Sequence, residues 1–193
     1  MILTESSPAT VTPVSLDEFK AHLRLAQGFA SDAAEDALLD RYLRNATSVI
    51  EARTSRALIR RGFKLQVAGW NRDGHLVLPV GPVALIESLS FVLGAERIGL
   101  PATSWSLEPG SSRQLLTGPG GGALAAVPEG YLAELVFAAG FGDTPGDMPG
   151  DLSQAVMLQA AHYYENRYGE AVSGQGIPAA VQALLETRRV FRL

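Results

Sequence analysis

The 193-residue chain has no cysteine. That absence removes disulfides, thiolate metal sites and thiol nucleophiles together, and it fits a reducing compartment. An excess of basic residues is also missing. Sixteen Lys and Arg stand against 20 Asp and Glu, for a formal net charge of −4. This argues against a dedicated nucleic-acid binder, which is usually basic, but it does not exclude a protein that lets DNA pass without gripping it. No apolar run reaches membrane-spanning length. Met1 to Pro13 is polar and lacks the basic start and apolar centre of a secretory signal. The expectation is a protein made in the cytoplasm and used there, or built into a particle there.

What is present is enough to fold. Hydrophobic residues make up 47% and charged residues 19% of the chain, so a sizeable core can form. The length suits one domain, or one domain carrying an insertion.

Helix signals come first. Ser15 followed by Glu18 reads as a capping box. It opens a short helix over about 15–25 marked by Leu16, Phe19, Leu23 and Leu25. Ser31-Asp32 with Glu35 opens a second helix, over about 32–57. Its Leu38, Leu39, Tyr42, Leu43, Ala46, Val49 and Ile50 recur at helical spacing, with Asp36, Asp40, Arg44 and Glu51 on the opposite face. The period then changes. Phe63, Leu65 and Val67 alternate with polar neighbours, as in a half-buried strand. Asn71 to Gly74 signals a turn, and Leu76, Leu78 and Val80 resume the alternation. Pro79 and Pro82 bend that stretch or hold it to an edge. Ile86 to Leu93 and Tyr131 to Phe141 are further strand candidates, separated by a Gly- and Pro-rich region. After a Gly, Pro and Asp linker, a helix of about 151–168 is apolar almost all round and so should be buried. Pro178 opens a last helix carrying Val181, Leu184 and Leu185.

The fold class these signals predict is α+β: mainly a helical bundle with an inserted small antiparallel β unit. Residues 1–61 give the N-terminal helices, 62–142 the inserted β unit, and 143–193 the C-terminal helices and a tail.

No constellation carries catalysis. Gly118-Pro119-Gly120-Gly121-Gly122 lacks the Lys and the Ser or Thr that a phosphate loop sends into its helix. Asp143, Asp147 and Asp151 are spaced too widely for a calcium loop, and no closing Glu follows. His22, His75 and His162 fall in three separate segments. No serine has a nucleophile-elbow context. Tyr163 and Tyr164 read as the closure of a core, their hydroxyls reaching water. No cofactor or metal is expected. Arg60-Arg61 and the tail are the two basic clusters. In the tail, Arg188, Arg189, Phe191, Arg192 and Leu193 combine cations with apolar anchors beyond the last helical face. They are expected to be loosely held in an isolated subunit and to dock onto a partner.

Several stretches, taken in order, carry a resemblance. Val14-Ser15-Leu16-Asp17-Glu18-Phe19-Lys20-Ala21-His22-Leu23-Arg24 is followed by Asp36-Ala37-Leu38-Leu39 and by Ile50-Glu51-Ala52-Arg53-Thr54-Ser55-Arg56-Ala57-Leu58. Then come Leu78-Pro79-Val80-Gly81-Pro82-Val83, Gly140-Phe141-Gly142, Met148-Pro149-Gly150-Asp151-Leu152, Tyr164-Glu165-Asn166-Arg167 and Ile177-Pro178-Ala179-Ala180-Val181. Together they resemble the phage head–tail connector proteins found in tailed phages, prophages and gene transfer agents. Ser55 stands where that family commonly has Gly. The resemblance implies a non-catalytic adaptor in a ring, of twelve copies, at the head–tail junction of a phage-like particle. Its implied partners are the portal, a tail-side connector or stopper, and double-stranded DNA in transit that is not specifically bound. No membrane is implied. The rival reading is a small non-catalytic regulatory or protein-binding module, which would not assemble into symmetric oligomers.

Overall fold

The structure is a computed structural model describing residues 1–25, 33–108, 114–166 and 177–186. The chain divides into two compact units. One comprises Met1–Ala9 and Arg60–Gly140, the other Thr10–Ile59 and Phe141–Leu193.

The second unit is helical. Helix α1, Leu16–His22, starts with the capping box read from the sequence. The Ser15 hydroxyl accepts from the Glu18 amide at 3.2 Å, and the Glu18 carboxylate accepts from the Ser15 amide at 3.0 Å. These bonds hold the Glu18 carboxyl below its ordinary value. The helix stops through a left-handed residue, Arg24, at φ 55°. Arg24 N–H donates to Ala21 C=O, and Leu25 N–H reaches back to Lys20 C=O. That pair of bonds satisfies the last carbonyls and turns Leu25 onto the core.

Helix α2, Ala33–Thr54, buries Leu39, Leu43, Ala46, Ile50 and Thr54, a spacing of three and four residues that lines one face. Helix α3, Gly150–Glu165, buries Leu152, Ala155, Val156, Gln159, Ala160 and Ala161. It packs against α2 and against α4, Ala179–Glu186. The short alanines of α3 let these helices approach closely. Phe19, Leu39, Leu43, Ile50, Leu152 and Val181 are fully enclosed in this core.

Among the described residues, the other unit holds eight strands in two sheets. Strands β1 (Ile2–Glu5), β2 (Arg61–Val67), β4 (Val83–Leu93), β5 (Glu96–Gly99) and β8 (Leu132–Ala139) form a five-stranded sheet ordered β1-β2-β8-β4-β5. All its neighbours are antiparallel. Strands β3 (Leu76–Val77), β6 (Ser106–Glu108) and β7 (Leu115–Thr117) form a smaller sheet ordered β3-β7-β6. One face of the larger sheet is apolar and buried, with Phe63 opposite Phe137 and Leu65 opposite Leu135. The Gln114 side chain joins the sheets: it accepts from the Val83 amide and donates to the Val83 carbonyl.

Three sequence expectations need correction. The chain is not mainly a helical bundle: helix and strand take 38% and 28% of it, so α+β holds but the sheet is a full partner. The N-terminal residues, grouped by their position with the first helices, supply an edge strand of the sheet. The Gly- and Pro-rich region from Pro109 to Gly130 contains β7, and β5 and β6 lie between it and Leu93, where no strand was read. Their three or four residues are too few to show a period. Edge placement beside Pro79 is borne out, since β3 ends its sheet. No described helix is long and apolar enough to cross a membrane.

Ser55 is also left-handed, at φ 55°, just past the end of α2. That conformation favours glycine, which gives a physical reason for the family's usual Gly. Ser55→Gly should therefore raise unfolding stability by about 1 kcal/mol in urea titration. Leu43→Ala, at the enclosed centre of the helical core, should lower it by about 2–5 kcal/mol.

Candidate interaction surface

The constellations weighed in the sequence resolve into structural roles. In the loop after β7, Gly118 N–H donates to Gly122 C=O, Gly121 N–H to Gly118 C=O, and Gly122 N–H to Pro119 C=O. The loop spends these amides on itself, leaving none of the three for a phosphate. Asp147 caps a short turn, accepting from the Thr144 amide and hydroxyl at 2.9 and 3.0 Å. Its side chain fills the space where a Cβ on Gly142 would sit, so Gly142 is required there. Among the described residues no cluster of three His, Asp or Glu could hold a metal. His22 ends α1, His75 sits in a turn on Asn71, and His162 bonds to Asn166. They lie on separate elements. Tyr163 and Tyr164 pack with Tyr42 against the helical core, with ring centroids 6.5 and 6.4 Å from that of Tyr42. Their expected role in core closure is borne out. Arg61 pairs with Glu5 at 2.7 Å and lies over the Phe63 ring. The tail residues Arg188, Arg189, Phe191, Arg192 and Leu193 lie outside the described residues.

The surface that sequence reasoning missed is on the larger sheet. Opposite its apolar face, Lys64, Gln66, Ser88, Ser90, Arg97 and Glu134 share the other side. Glu134 is only 3% exposed. Arg97 reaches it at 2.6 Å, Gln66 at 2.8 Å and Lys64 at 3.8 Å, and Arg97 also donates to the Ser90 hydroxyl at 3.0 Å. Burial works against ionising Glu134. The hydrogen bonds from Arg97 and Gln66 and the two nearby cations outweigh that cost and hold its carboxyl below the usual carboxylate range. The cluster is a charge-paired knot tying β2, β4, β5 and β8 together. It offers no free nucleophile or base.

On the same side as this knot, Ile2 is 61% exposed, Leu85 59% and Leu132 39%. Leu3, Leu93 and Ile98 are also exposed, on the opposite side, which carries Leu65, Leu135 and Phe91. Exposed apolar residues gathered on the strands of one sheet mark a surface suited to another protein. The placement of β1 depends on its distant pairing with β2, whereas β5 follows β4 through the short turn at Gly94-Ala95.

Comparison with known proteins shows full-length likeness. A chain in the neck of an empty GTA particle, computed with C6 symmetry, is 40% identical with TM-score 0.87. A chain in the virion of a native gene transfer agent (GTA) particle is 39% identical with TM-score 0.85. A chain in the neck of a native GTA particle, computed with C12 symmetry, is 36% identical with TM-score 0.81. Each comparison covers 100% of this chain and 97% of the other. No family model and no curated protein matches.

Glu134→Gln should lower stability at neutral pH by about 1–3 kcal/mol, because Arg97 and Lys64 lose their counter-charge. The folded carboxyl titrates below its unfolded value. Its contribution is therefore complete above the ordinary carboxylate pKa and fades as pH falls through the depressed one. Denaturant titrations should show the wild type and the variant converging over that acid window.

Proposed function

We propose a role from one premise: the chain belongs to the family of neck proteins of gene transfer agent particles. It is a structural neck protein of a phage-like particle. More finely, it is the adaptor subunit of a ring, of twelve copies, that joins the portal of a DNA-filled head to the tail-side connector or stopper. It assembles in the cytoplasm, ends at the head–tail junction, and carries no catalysis. The observation that carries this reading is similarity over the whole chain to chains in the necks of GTA particles, at 40% and 36% identity.

The charge arrangement supports a DNA conduit. Lys20 pairs with Asp36, Arg44 with Asp40, Arg61 with Glu5, and Arg97 and Lys64 with Glu134. Phosphates would have to displace these carboxylates. Each further bond to a phosphate would also slow passage, since affinity climbs with the number of phosphates neutralised. A net acidic chain in which these five cations are engaged internally suits a wall past which DNA slides. The tail residues Arg188, Arg189, Phe191, Arg192 and Leu193 serve in this proposal as the anchor to the portal or an adjacent subunit.

Electron cryomicroscopy of particles carrying a tagged chain tests the assignment. The expected result is a symmetric ring of the tagged chain between portal and tail; its absence from that junction would refute the role. Deleting residues 188–193 should leave the melting temperature of the isolated protein unchanged and yield heads without tails. Normal tail joining by the shortened chain would remove the anchor from the proposal.

A further inference from the structure

A ring built by rotation joins two different surfaces of one chain, each copy offering its first to its neighbour's second. The five-stranded sheet ends in two such surfaces. Strands β1 and β5 are its edges, and each has four residues, all exposed. Every neighbouring pair in this sheet is antiparallel. With five strands, the two edges therefore run in the same direction. Carrying one copy beside the next without inverting it would set β1 parallel to the neighbour's β5.

Open edges are usually protected by charge, proline or a bulge. These two have neither proline nor a bulge. Ile2-Leu3-Thr4-Glu5 and Glu96-Arg97-Ile98-Gly99 contain no proline. The two bulges of β4 lie between Val83 and Ser88, short of the Ser90–Leu93 stretch that pairs with β5. Every charged side chain of the two edges is engaged within its own copy: Glu5 with Arg61, Arg97 with Glu134, and Glu96 with the Tyr131 hydroxyl. Glu5 and Arg97 stay 40% and 50% exposed but paired, and beside them the edges present backbone and apolar side chains. Leu3 and Ile98 occupy the same face of the sheet, since Leu3 opposes Leu65, Leu65 opposes Leu135, and Ile98 opposes Phe91. They are 37% and 44% exposed. The edges of the smaller sheet are shorter, at two and three residues.

We propose that β1 of one copy adds in parallel to β5 of the next, with Leu3 beside Ile98, so that the five-stranded sheets join edge to edge around the ring. This rests on the ring reading above and adds which surfaces meet. Backbone hydrogen bonds would supply the continuity, and Leu3 against Ile98 the register.

The absence of cysteine gives a clean test. The variant L3C/I98C, assembled in particles and treated with oxidant or a short bis-maleimide, should give a ladder of covalent oligomers on a denaturing gel. L3C and I98C alone should stay monomeric. Within one copy the two positions sit on opposite edges, about 19 Å apart across four strand spacings, so a cross-link must join two copies. Dimers from L3C alone would mean two-fold β1 to β1 pairing and would overturn the proposal. So would a normal ring by electron microscopy in which the double variant does not cross-link, and the neck role would then stand. A wild-type particle without the ring would instead remove the neck role and this contact with it. If the cysteine variants do not enter rings, hydrogen exchange on the unmodified protein decides. Amides of Ile2–Thr4 and Arg97–Gly99 should slow about tenfold or more between free chain and ring, and unchanged exchange at both edges overturns the contact.

Discussion

The antiparallel pairing of β2 with β8 is the contact on which both units depend. It sets Arg61 opposite Ala139, so the chain enters and leaves the sheet side by side. On the helical side of that crossing, Ile59 bridges to Gly142, and Phe141 N–H donates to Leu58 C=O. The chain thus returns beside the point where it left, and α3 can pack on α2 although nearly half the sequence lies between them. The length of the excursion costs little, because closure entropy grows only by about 0.6 kcal/mol per doubling of a flexible loop. What matters is that β8 is held on both sides, by β2 and by β4, with Leu135 and Phe137 enclosed.

Electrostatics in this protein is turned inward. The knot around Glu134 lies on a sheet face that faces solvent, yet its carboxylate is buried by the very cations that neutralise it. Arg61 with Glu5, and Lys20 with Asp36, follow the same pattern at other sites. Such exposed or half-exposed pairs add modestly to stability. Their larger consequence is on the outer surface: these particular charges are already partnered within the chain, which is what the proposed adaptor beside passing DNA would require.

Much of the fold was legible because it is local. The capping box at Ser15 and Glu18, the helical spacing from Leu38 to Ile50, the apolar circumference of α3 and the alternation of Phe63, Leu65 and Val67 each report one element through its own period. Ser55 was legible as a departure from the family pattern, and its left-handed backbone supplies the reason. Strand β4 was read only from Ile86 onward. Its bulges between Val83 and Leu85 and between Ile86 and Ser88 each shift the side-chain alternation by one residue, which erases the period over its first half.

The sequence by itself determined the α+β class, the four helices, the absence of thiol chemistry and an ordered set of motifs pointing to the neck of a phage-like particle. These are properties of composition and of short-range spacing, which the backbone enforces within a few residues. Only the tertiary structure decided that Ile2–Glu5 is a strand, that Glu134 sits at the centre of a charge knot, and that β1 and β5 are the open edges of one sheet. Each of these depends on pairing between residues far apart in the chain. Glu134 meets Gln66 across 68 positions, and β1 meets β2 across 58 to 64. No local period encodes such pairings: a four-residue strand is stable only where a partner strand is already in place to accept its hydrogen bonds.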